Sequence, residues 1–256
     1  RLLGARLLKS VSWVWWLPPS EVPSRRTWGA RWRGDVVVEE TGPWTFGIAA
    51  VGRARVFVDD AVVLDNWTAP KPGALFFGWG SDELVRTVEL AAGRHALRVE
   101  YQPDERADRP AIRFGMQPVP PGDPVADAAA LAADADAVVL LVGTDGEWET
   151  EGSDRVAMRL PGRQDELVTA VAAANPRTVV VLNTGSPVEM PWEPDVAAIL
   201  QAWFPGQEYG DALVDVLLGD ADPGGRLPTT FPHRYLDNPT LFTYPGEAGE
   251  VVYGEG

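Results

Sequence analysis

The sequence predicts two folds in tandem: a β-sandwich or barrel over residues 1–117 and, from residue 125, an α/β domain built on a mostly parallel sheet. Three observations carry this. From Trp13 to about Met116, short runs such as WTFGIAAV, ARVFVDDAVVLD and HALRVEY are divided by turn residues, the signature of successive half-buried strands. Gln117 to Pro124, QPVPPGDP, cannot continue a sheet because proline has no N–H to donate, so residues 118–124 are expected to be a linker. Beyond it, apolar spacing alternates between helical stretches and short β-branched runs, which implies parallel strands with helices covering both faces.

In the first domain the turns fall at Thr41-Gly42-Pro43, Asp59-Asp60 and Ala92-Gly93, residue types that reverse a chain between strands. Tryptophan is concentrated here, which suits an aromatic core and equally suits ring faces stacked on sugars. In the second domain the expected order is a helix over Pro124 to Ala135, a fully buried strand over Ala137 to Val142, a helix over Gly162 to Asn175, strands over Thr178 to Asn183 and Val196 to Trp203, and a helix over Glu208 to Leu218. Asn175-Pro176 stops its helix, since proline pushes the preceding residue out of the helical region. The domain is expected to end near residue 235, and residues 236–256 show neither period.

Composition narrows the function. The 256 residues are 45% hydrophobic, enough to bury a core. The 37 acids against 22 Lys and Arg give a formal charge of -15, which repels phosphate backbones and anionic membranes and excludes nucleic acid as an expected partner. With no cysteine and two histidines, thiolate metal sites are excluded, a zinc site is not expected, and no cofactor is implied. No apolar run approaches membrane-spanning length. The opening RLLGARLLKSVSWVWW has no continuous apolar core and no small-residue cleavage site, so it does not read as a signal peptide. Without an initiator Met, the chain is expected to begin partway through a longer protein, and it leaves compartment and oligomeric state open, the cytoplasm being only slightly favoured.

Chemistry concentrates where the Ala137 strand ends. Ligands of open α/β sheets gather beyond the carboxyl ends of the strands, and that position holds Asp145, Glu147, Glu149, Glu151 and Asp154 within ten residues. Crowded carboxylates raise the pKa of at least one member where part of the loop is dry, and Trp148 could supply the dry wall. A carboxyl so raised can act as a general acid. A solvated acidic loop is the alternative. Gly143 and Gly146 lack the third glycine of a dinucleotide loop, and their acidic flanks repel phosphate.

Several segments together resemble a glycoside hydrolase family 3 enzyme of the β-glucosidase type with an inserted PA14 domain. They are Trp148 to Arg155 (WETEGSDR), Leu160 to Leu167 (LPGRQDEL), Asn183 to Val188 (NTGSPV), Ala202 to Glu208 (AWFPGQE) and Gly219 to Pro228 (GDADPGGRLP). PA14 is matched by Ala30-Arg31-Trp32, Gly42 to Phe46, Ala54 to Asp59 and Leu64 to Trp67. The resemblance implies a PA14-like β-sandwich followed by an incomplete α/β sandwich, an internal fragment lacking the barrel before it and the fibronectin-like domain after it. It implies retaining hydrolysis of terminal β-glucosides or oligosaccharides through two carboxyls about 5 to 5.5 Å apart, with the nucleophilic aspartate on the missing barrel. The acid/base glutamate of the family maps to Glu151, with Glu149 and then Glu147 as alternatives. Ser153 stands where the family more often has a large aromatic or apolar residue. Asp154 and Arg155 are expected to form a loop-fixing ion pair, and the fragment alone is expected to turn over little or nothing.

The resemblance also bears on two further stretches. Phe76, Phe77 and Trp79, in a glycine-flanked loop, are expected either to form an outer sugar subsite or to turn into the core. Asp59 and Asp60 are similar to the aspartates with which lectin-like PA14 domains hold calcium, which would make the chain a non-catalytic carbohydrate-binding module. Calcium needs six to eight oxygens, and with no further acids nearby a hairpin turn accounts for the pair. Gln207 and Glu208 are expected to cap the last helix, and His95 and His233 to be structural.

Overall fold

The computed structural model describes residues 10–17, 19–20, 28–73, 75–76, 78–104, 107–146, 148–150, 155, 157–243, 246 and 249–251. The chain divides into two compact units, residues 1–121 and 122–256.

The first unit is a curled, wholly antiparallel sheet of seven strands: β1 (Ser12–Val14), β2 (Ala30–Val38), β3 (Gly42–Val58), β4 (Ala61–Asn66), β5 (Leu84–Leu90), β6 (Gly93–Pro103) and β7 (Ala111–Pro118). The 17-residue β3 organises it. Its first half pairs with β5 and β7, its second half with β4 and β6. The changeover falls at Gly52, whose φ of 126° and approach to Gln102 O leave no room for a Cβ, so only glycine permits this bend.

Along β3 the even-numbered residues Phe46, Ile48, Ala50, Ala54, Val56 and Val58 face one core with Val99, Tyr101 and Ile112, while the odd-numbered Ala49, Val51 and Phe57 are buried too, so the strand is covered rather than half-buried over Phe46 to Val51. Trp15 stacks on Tyr101 at 5.5 Å and meets Trp28 edge-on at 5.0 Å, so these tryptophans serve packing. The Asp59-Asp60 turn is as expected: both residues have positive φ (49° and 63°) and join β3 to β4.

The second unit carries a three-stranded parallel sheet in the order β10 (Ala198–Gln201), β9 (Thr178–Asn183), β8 (Val138–Gly143). With it go α1 (Pro124–Ala133), α2 (Gln164–Ala174) and α3 (Tyr209–Leu218). Asp123 caps α1 by accepting from Val125 N. Asn175 leaves α2 in an extended conformation before Pro176, as expected. Gly219, at φ 83°, closes α3 in the left-handed conformation that glycine adopts without penalty. Val142, Val168, Val180, Leu182, Val188 and Trp192 form the core.

Two expectations are corrected. The Ala137 run is not fully buried: Val142 points into the core, while Val139 and Leu141 on the opposite face are 47% and 53% exposed. The central β9, with a strand on either side, does bury Val180, Val181 and Leu182 in succession. A continuous apolar run specifies two faces able to be buried, not that both are covered. The strand expected over Val196 to Trp203 is also shorter, because a 3-10 turn (Glu193–Asp195) precedes it and Trp203 turns the chain with φ 57°.

Candidate active-site edge

The site is built where β8, β9 and β10 end. β8 stops at Gly143, where a Cβ would lie 2.3 Å from Asn183 O, so glycine alone allows the two strand ends to close. Gln164, at the start of α2, acts as one more strand: its Oε1 accepts from Gly143 N at 2.7 Å and its Nε2 donates to Gly143 O at 2.9 Å. The chain then winds one turn, Trp148 N and Glu149 N both donating to Asp145 O, with Asp145 Oδ1 also accepting from Trp148 N.

That turn delivers Glu149 into a cradle. Its carboxylate accepts from the Thr144 hydroxyl, from Gly185 N at 2.9 Å and from Ser186 Oγ at 2.8 Å. Burial alone would raise its pKa, but the Thr144 and Ser186 hydroxyls, the Gly185 N–H and the nearby Arg155 charge together hold it below the ordinary glutamate value. Glu149 is therefore an anion near neutral pH, which is the wrong state for a general acid. On the far side of the loop, Arg155 Nη2 donates to Pro187 O at 2.8 Å. Glu149 and Arg155 thus tie both flanks of residues 150–154 to one segment, Gly185 to Pro187.

Glu147, Glu151 and Asp154 lie outside the described residues, and the expected Asp154–Arg155 ion pair lies outside with Asp154. Buried polar atoms are normally paired, and each one left over calls for an explanation. Among the described residues, Trp148 Nε1, Arg155 Nη1, Asn183 Oδ1, Gln201 Oε1 and Tyr209 Oη are buried without a partner, each on the chain at or beyond the end of one of the three strands, as are Trp28 Nε1 and Arg98 Nε in the first unit. Glu208 occupies the N-cap position of α3, yet its side chain makes no capping hydrogen bond.

Sequence reasoning singled out the acidic loop but not the groups that receive Glu149, the Thr144 and Ser186 hydroxyls and the Gly185 N–H. NTGSP following a strand at the same sheet edge was the available signal.

In the first unit, Trp79 is 53% exposed and lines two adjoining clefts of about 580 and 450 Å³, which share Asp104. Arg109 lies over its ring at 5.1 Å and Arg113 over that of the half-buried Phe76 at 5.9 Å; Phe77 is outside the described residues. The Asp59 carboxylate accepts from His95 Nδ1 at 2.6 Å and from Ala96 N at 2.8 Å, and Asp60 pairs with Arg98 at 3.2 Å. Among the described residues, no three His, Asp or Glu side chains are grouped to hold a metal ion, and no helix is long and apolar enough to cross a membrane.

Residues 40–256 match the family model described as the glycosyl hydrolase family 3 C-terminal domain. The chain belongs to this family. It is 46% identical to a β-glucosidase of Rhizobium radiobacter over the whole chain and 32% of that protein, and 40% identical to a probable β-glucosidase I of Aspergillus terreus over 85% of the chain and 27% of that protein. The chain therefore spans about a third or less of the length of these relatives. A Kluyveromyces marxianus β-glucosidase structure superposes with a TM-score of 0.80 at 37% identity, over 88% of this chain and 27% of that one; the same enzyme has been solved in complex with glucose. As a family 3 C-terminal segment, the chain pairs a curled antiparallel sheet with a small parallel sheet and three helices.

Proposed function

We propose that this chain is the part of a retaining, exo-acting β-glucosidase that supplies the acid/base glutamate, Glu151, to a nucleophilic aspartate carried on a barrel elsewhere in the parent polypeptide. The observation that carries the reading is the fastening of the acidic loop. Glu149 and Arg155, which flank residues 150–154 in sequence, both hydrogen-bond to the Gly185 to Pro187 segment, at the sheet edge where α/β proteins bind ligands. Family membership and the names of the relatives support the β-glucoside class of substrate.

In this reading Glu151 protonates the leaving oxygen, and then as a base activates the water that releases the glycosyl-enzyme. Residues 1–117 act as a PA14-like domain and residues 125–235 as most of the α/β sandwich, with 118–124 as linker and 236–256 leading to a further domain. Phe76, Phe77 and Trp79 form an outer sugar subsite, for which the exposed Trp79 ring beside two clefts is the supporting feature. The calcium-dependent binding module finds no comparable support, because Asp59 and Asp60 already face His95 and Arg98.

The test is made in the parent polypeptide with its barrel. Glu151→Ala should abolish hydrolysis of cellobiose while an aryl glucoside with a good leaving group still glycosylates the enzyme, and azide should then restore turnover. The first product should keep the β configuration. Undiminished cellobiose hydrolysis by Glu151→Ala, or an inverted product, would overturn the reading.

A further inference from the structure

We infer that Glu149 is a positioning residue, whose carboxylate sets the acid/base loop by gripping the Gly185-Ser186 turn. The inference rests on the assignment of Glu151 above. Glu149 stands two residues before Glu151, so the two Cα atoms are at most about 7 Å apart along the chain. Its side chain engages both oxygens within the protein, on Thr144, Gly185 and Ser186. Thr144 belongs to the strand end behind it and Gly185-Ser186 to the neighbouring strand's loop, so the carboxylate rivets the outgoing chain to β8 and β9 together.

Arg155, six residues on, donates to Pro187 O of that same segment, so the two anchors of this stretch, Glu149 and Arg155, are held by adjoining residues. A short loop pinned at both ends has few conformations left. That confinement is what a general acid requires, since a misplacement of about 1 Å can cost about a hundredfold in rate. The tightness of the grip is visible at Gly185, where a Cβ would come within 2.6 Å of Glu149 Oε2.

The experiment uses the full-length parent enzyme with 4-nitrophenyl β-glucoside and cellobiose, and records kcat, KM, pH profiles and unfolding midpoints. Glu149→Ala should lower kcat about a hundredfold on both substrates with KM little changed, keep the basic limb of the pH profile, and gain nothing from azide. Glu149→Gln, which retains neutral hydrogen bonding, should lose only about tenfold. Ser186→Ala, which removes one partner without touching the acidic loop and serves where Glu149→Ala fails to fold, should show the same pattern more weakly. The Glu149→Ala/Ser186→Ala pair should be no worse than Glu149→Ala alone.

Azide separates the two proposals. It attacks the anomeric carbon of the glycosyl-enzyme, displacing the enzyme carboxylate without needing a base, and so rescues only a missing acid/base. Rescue of Glu151→Ala together with unchanged kcat in Glu149→Ala, or full additivity with Ser186→Ala, overturns the positioning role alone. Rescue of Glu149→Ala, with no effect of Glu151→Ala, overturns both.

Discussion

Gly185→Ala probes the cradle from its crowded side. The residue does not adopt a positive φ, so alanine meets no backbone penalty and the effect is steric. The new methyl would lie 2.6 Å from Glu149 Oε2 and 2.6 Å from Phe204 Cε2, about 1 Å inside ordinary contact. Moving Glu149 would stretch charge-assisted hydrogen bonds, so the cheaper path is displacement of the half-exposed Phe204 ring. Overpacking of this kind costs about 1–3 kcal/mol, and the stiffer unfolded chain returns about 0.5 kcal/mol. The expected net loss is about 1.5 kcal/mol, a fall of several degrees in unfolding midpoint, followed by differential scanning calorimetry on the parent enzyme. Phe204→Ala should relieve most of it, a coupling measurable by double-mutant cycle. A midpoint for Gly185→Ala that is unchanged or raised in the native background, or a loss that Phe204→Ala does not relieve, would refute the packing argument.

Glu100 sits only 8% exposed among Arg31 at 2.9 Å, Arg55 at 2.7 Å and Arg98 at 3.3 Å. Glu100→Gln should cost about 2 kcal/mol in denaturant titrations, less than the 3–5 of a fully buried pair because Arg31 is half exposed. Burial tends to raise the Glu100 pKa, but the arginines prevail and lower it. Its contribution is therefore present above the ordinary glutamate value and lost as pH falls through the depressed one, so Glu100→Gln should flatten the acid side of the stability profile. His95 gives the opposite sign: the Ala91 carbonyl and Asp59 raise its pKa, so its contribution is full below about 6.5 and disappears as pH rises through the raised value. Denaturation at pH 5.5, 7 and 8.5 should show that decline in the native chain and not in His95→Gln. Phe46→Ala, at a fully buried position in the first half of β3, should cost about 3–5 kcal/mol in the same assay; a cost under about 1 kcal/mol would contradict its place in the core.

Much of this was legible in local chemistry. Alternation along β3, the aspartate turn after it, the Asn175-Pro176 stop and the acids after β8 each depend on residues close in sequence, whose backbone preferences and side-chain period act without help from distant partners. Other features depended on contacts between segments far apart in the chain. Nothing in WETEGSDR distinguishes Glu149 from its neighbours until Gly185 and Ser186, 36 and 37 residues away, arrive to grip it and lower its pKa. Likewise, Gln164 reads as an ordinary helix residue until β8 presents Gly143 to it. The acidic string by itself determined that carboxylates would follow the end of a strand, and the apolar pattern of residues 44–58 determined that they form a strand. Tertiary structure decided which groups grip Glu149 and lower its pKa and which face of β8 stays open, because hydrogen bonding and burial are set by whatever the folded chain brings alongside, and that proximity is not encoded in any one stretch.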